Sequence, residues 1–67
     1  MAVVKVIEVL AESEKSWEDA TQIAVSEAAK TVHNIKSVYI ENFQAIVDND
    51  KVVSYRVDAK ISFVVAK

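Results

Sequence analysis

The chain of 67 residues has room for one small domain spanning 1–67, and a domain of this size buries only about 60% of the surface its unfolded form exposes. With no Cys and a single His, disulfides, zinc ribbons, iron–sulfur clusters and thiol catalysis are excluded, so self-association is the expected support for a chain that is 52% hydrophobic. The net charge is -2 and the basic residues are scattered from Lys5 to Lys67, with no basic patch for nucleic acid and no apolar run long enough for a secretory leader or a membrane span, so a soluble, cytoplasmic protein is expected.

Ala2 to Leu10 is almost wholly β-branched and aliphatic, interrupted by Lys5 and Glu8, and reads as a strand apolar on both faces. The polar stretch Glu12-Ser13-Glu14-Lys15-Ser16 follows as a loop. Ser16 is placed to cap a helix, and Asp19 three residues on completes a capping box. The helix is predicted from about Trp17 to Val32. Trp17, Ala20, Ala24, Ala28 and Thr31 share one face, and small residues there let the helix axis sit close to a sheet.

After His33-Asn34 come two long extended stretches, Ile35 to Val47 and Val52 to Val65, joined by Asp48-Asn49-Asp50-Lys51. Asn and Asp tolerate left-handed turn conformations, so this connector is predicted to be a hairpin turn in a chain with no Gly or Pro. In the second stretch Val53, Tyr55, Val57, Ala59, Ile61, Phe63 and Val65 face one way, and Ser54, Arg56, Asp58, Lys60 and Ser62 the other. The first stretch alternates less well. Its apolar residues fall on both parities, which implies one face toward the helix and another toward something outside the protomer, while Glu41-Asn42 suggests a bulge. A strand of some 14 residues spans roughly 45 Å, against about 24 Å for a 16-residue helix, so the strands overhang the helix. The expected fold class is α+β: β-α-β-β, a three-stranded antiparallel sheet curled around one helix.

The catalytic inventory is thin. His33 reads as a helix-end residue rather than a base, and without Gly no nucleophile elbow, phosphate loop or dinucleotide fingerprint can form, so no enzyme activity is expected. Asp48, Asn49 and Asp50 gather oxygen donors of the kind Ca²⁺ takes, but they lack the spacing of an EF-hand loop and read first as a turn. Trp17 reads as a core or interface anchor ahead of a stacking platform. Arg56 and Asp58 lie on the polar face of the last strand, where an oligomer axis would multiply them.

The pattern as a whole resembles the dodecin family. The likeness runs through Lys5-Val6-Ile7-Glu8, Ser16-Trp17-Glu18-Asp19-Ala20, Lys30-Thr31-Val32-His33-Asn34-Ile35 and the strand from Tyr55-Arg56-Val57 to Ile61-Ser62-Phe63. It implies a hollow spherical homododecamer, non-enzymatic, that binds and shields a flavin such as riboflavin or FMN. Flavin-binding dodecins stack a Trp at the start of the second strand on the isoalloxazine ring, and a Gln in the last strand bonds its polar edge. The matching positions here are Ser37 and Arg56, both substituted. Ser37 cannot stack, whereas Arg56 can donate to a carbonyl edge or a phosphate. Ser16-Trp17-Glu18 and the missing stacking Trp resemble the calcium dodecins, which implies as the alternative a Ca²⁺-binding or purely structural shell, with no metal ligands assigned.

Overall fold

The computed structural model describes residues 2–66. Strand β1 (Val3–Ser13) leads into helix α1 (Trp17–Ala28), followed by β2 (Ile35–Asp48) and β3 (Lys51–Ala66). The strands form one sheet in the order β1-β3-β2, every pair antiparallel. The last strand is therefore the central one. Its alternation sorts the two faces: Val57, Ala59 and Ile61 are fully buried against α1, while Arg56, Asp58 and Lys60 lie on the opposite, outer face. From the helix come Ala20, Ala24 and Ala28, all buried, and Ile7, Val9, Ile35, Val38 and Ile40 pack around this centre. The core is thin because its helical half is alanine.

The irregular alternation of β2 has a local cause. Ile40 pairs with Ala59 and Asn42 with Asp58, leaving Glu41 as an extra residue in a bulge. The bulge shifts the side-chain phase by one, so Val38 and Ile40 before it and Phe43, Ala45 and Val47 after it share the helix-side face. The suggested bulge at Glu41-Asn42 is present. The apolar residues of both parities thus belong mostly to one face, with Tyr39 and Ile46 left on the outer one.

The helix is shorter than its apolar pattern predicts. It ends at Ala28 instead of Val32, and the Thr31 and Val32 amides both return to the Ala28 carbonyl, at 3.1 and 2.9 Å. Thr31 and Val32 are β-branched and poor helix formers, and Asn34 at φ 64° turns the chain into β2. Thr31 accordingly lies outside the buried stripe. At the other end, β1 extends to Ser13 instead of Leu10, because the long central strand offers it partners as far as Tyr55.

Ser16 caps α1, its hydroxyl accepting from the Asp19 amide at 2.9 Å. The second half of the capping box is rerouted: the Asp19 carboxylate accepts from the buried Ser13 hydroxyl at 2.6 Å, and that hydroxyl accepts from the Lys15 amide at 2.9 Å. At the hairpin, Asp48 pairs with Lys51 around Asn49 and Asp50, both at positive φ (53° and 65°), the geometry of a type I′ turn.

Twelve helical residues cover about 18 Å, whereas the molecule is 51 Å long and 20 by 14 Å across. Its radius of gyration, 13.6 Å, exceeds the roughly 11 Å of a compact chain this long. Trp17 reaches from the start of α1 onto the hairpin, packing edge-on against Tyr55 (5.0 Å between centroids) and Phe43 (5.9 Å) while its Nε1 donates to the Gln44 carbonyl at 2.9 Å. Beyond it Phe43 is 62% exposed, and Val47, Val52 and Val53 are exposed as well. No helix among the described residues is long and apolar enough to cross a membrane.

Candidate functional site

The outer face of the sheet gathers the charged chemistry. Glu8 in β1 lies opposite Lys60 in β3, Asp58 in β3 lies between Leu10 and Asn42, and the β2 bulge turns Glu41 toward them. One carboxylate oxygen from each of Glu8, Glu41 and Asp58 falls within 4.8 Å of the others. Asp58 Oδ1 is enclosed and has no hydrogen-bond partner. A buried polar atom without a partner is costly, so a proton or a cation at this point would be stabilising.

The titration of Glu8 follows from this crowding. A hydrogen bond to Asp58 first, then the Asp58 charge, partial desolvation and the Glu41 charge hold its carboxyl above the ordinary value of 4.5, with Lys60 pulling the other way. Lys60 lies 2.9 Å from Glu41 Oε1, and that bond and charge, together with the charges of Glu8 and Asp58, hold its ammonium above its usual value.

The two positions matched to the flavin site lie apart from this cluster and from each other. Ser37 pairs with Ser62, and their hydroxyls are hydrogen-bonded. Arg56 donates from Nε to Glu12 Oε1 at 2.7 Å and from Nη1 to Gln44 Oε1 at 3.3 Å. Six residues of β3 separate their rows, about 20 Å along the strand, so within one protomer they do not share a pocket. Asp48, Asn49 and Asp50 form the hairpin turn.

Sequence reasoning singled out Asp58 for its polar face and Glu41 for the bulge, yet did not join them to Glu8. The available signal is Glu8 as the one acidic break in the apolar run Ala2 to Leu10. Joining the three requires the register of both strand pairs, which one chain's pattern does not supply.

A three-stranded antiparallel sheet curled on one alanine-faced helix, longer than its helix and carrying its charged cluster on the open face, defines a small α+β fold of β-α-β-β order. The sequence profile of the Dodecin family matches residues 3–66, and the chain belongs to that family. It is 33% identical over 63 residues to the calcium dodecin of Mycobacterium tuberculosis, covering 94% of this chain and 89% of that protein. The crystal structure of that calcium dodecin, described as having a novel calcium-binding site, superposes with a TM-score of 0.82 at 33% identity, over 91% of this chain and 87% of the other. A dodecin variant from Thermus thermophilus matches with a TM-score of 0.92 at 24% identity over 100% of both chains. That second likeness concerns the fold alone.

Proposed function

We propose that this protein is a non-enzymatic, small-ligand-binding dodecin, a single domain assembled as a hollow homododecamer, and that its ligand is a divalent cation, Ca²⁺ foremost, held through Glu8, Glu41 and Asp58. The observation that carries this reading is the enclosed, partnerless Asp58 Oδ1 beside two further carboxylates. Hard anionic oxygens are the donors Ca²⁺ takes, and a bound dication would offset the repulsion of three like charges. The calcium dodecin of M. tuberculosis, at 33% identity, supports the same choice of ion. Assembly is supported by the molecule's length, by the exposed apolar residues of the hairpin, and by an apolar groove of about 510 Å³ between α1 and β1, lined by Ile7, Val9, Ala11, Ile23, Ala24 and Ala28.

The flavin reading carries less support, because Ser37 offers a hydroxyl where a stacking ring would stand and Arg56 is already engaged by Glu12 and Gln44. Thermal unfolding in EDTA and in millimolar CaCl₂ tests the proposal. A ligand that binds only the native state raises its melting temperature by mass action. A clear rise with CaCl₂ is expected, and coincident curves overturn the cation reading. Loss of riboflavin or FMN fluorescence over micromolar protein would favour flavin instead.

A further inference from the structure

Lys60 places a positive charge inside the cluster that is read as a cation site. It stands on β3 opposite Glu8, two residues from Asp58 on the same strand face, with its ammonium 2.9 Å from Glu41 Oε1. Both partners of that ion pair are 40% exposed, and pairs so exposed are weak and open readily. The lysine thus relieves part of the repulsion among the three carboxylates without filling the enclosed Asp58 Oδ1, which keeps no partner.

We propose that Lys60 is the site's built-in competitor: it holds Glu41 in the cation-free protein and must give it up when a divalent ion binds, so this one residue sets the affinity of the site. The inference rests on the calcium reading above. A dication carries twice the charge of the ammonium and can meet all three carboxylates, whereas Lys60 pairs only with Glu41. Its residual positive charge, now unpaired beside the ion, opposes binding.

Calorimetric titration of the full chain with CaCl₂, for the unaltered protein, Lys60→Gln and Lys60→Arg, tests this. Removing one charge a few ångströms from a dication should tighten binding by about tenfold in Lys60→Gln. Lys60→Arg, which keeps the charge and pairs with carboxylates in a planar fork, should bind as the unaltered protein does or more weakly. Circular dichroism confirms that the variants fold, as expected for a side chain this exposed. Equal or weaker affinity in Lys60→Gln overturns the role of Lys60 while leaving the calcium reading in place. If none of the three proteins takes up Ca²⁺, the calcium reading fails and the inference falls with it.

Discussion

The stretch of sheet under the helix and the hairpin that projects past it share strands β2 and β3, yet they solve burial differently. Under α1, Val57, Ala59 and Ile61 are fully enclosed by alanines that bring the helix axis close. In the hairpin, Phe43, Val47, Val52 and Val53 carry equally apolar side chains with no helix to cover them, and only Trp17 reaches across. Hydrophobic composition alone therefore does not say which residues hold this protomer together. The first group stabilises the fold directly; the second, apart from the contact of Phe43 with Trp17, stays open to solvent in the protomer.

Charge substitutions should separate the two regions. Val57→Asp buries an unpaired carboxylate in the centre of the thin core, at a cost of about 3–5 kcal/mol, comparable with the whole stability of a small domain. The expected outcome is loss of the cooperative unfolding transition and of the folded circular dichroism signal. Phe43→Asp changes a side chain that is 62% exposed, so the secondary structure should survive while the mass measured by light scattering falls. A soluble, folded Val57→Asp monomer would contradict the assignment of the core. A Phe43→Asp protein of unchanged mass would remove the hairpin from the assembly surface.

The outer face adds a smaller, pH-dependent contrast. Because the folded state holds the Glu8 carboxyl above 4.5, it binds more protons than the unfolded chain as the pH rises from that value, so this group's contribution to stability falls with rising pH. Asp58→Asn removes both the charge and the anionic acceptor that cause the shift. The melting temperature of the cation-free variant should therefore decline less from pH 4.5 to neutral than that of the unaltered protein, and its response to CaCl₂ should be lost. Parallel pH profiles would show that Asp58 does not control Glu8.

How far each region could be read in advance follows the range of the interactions involved. The Ser16 cap, the Asn49-Asp50 turn and the alternation of β3 from Tyr55 to Phe63 rest on neighbours a few residues apart and are where the pattern places them, whereas Val53 and Val65 fall at register shifts that interrupt the expected alternation. The helix ends before its apolar spacing does because Thr31 and Val32 continue that spacing while lacking the propensity to propagate it. The acidic cluster was not assembled because Glu8, Glu41 and Asp58 come from three strands, and only the order β1-β3-β2 together with the bulge brings them to one place. Ser37 and Arg56 entered by family likeness, and their separation along β3 means that any shared ligand would need a second copy.

The smallest expected effect lies at the hairpin tip and probes the overhang by itself. Asp50 sits at φ 65°, where a residue with a Cβ is strained, although Asp tolerates it better than most. Asp50→Gly produces Asn-Gly, the dipeptide best matched to a type I′ turn, and relieves that strain against the greater entropy glycine has in the unfolded chain. The balance should stabilise by about 0.5 kcal/mol, which for a domain of this size raises the melting temperature by roughly 2–4 °C. The calcium response should not change, since the turn lies outside the carboxylate cluster. A loss of stability or of assembled mass in Asp50→Gly would mean that the Asp50 carboxylate itself makes a contact with a neighbouring copy, and the hairpin tip would then belong to the assembly surface along with Phe43 and Val47.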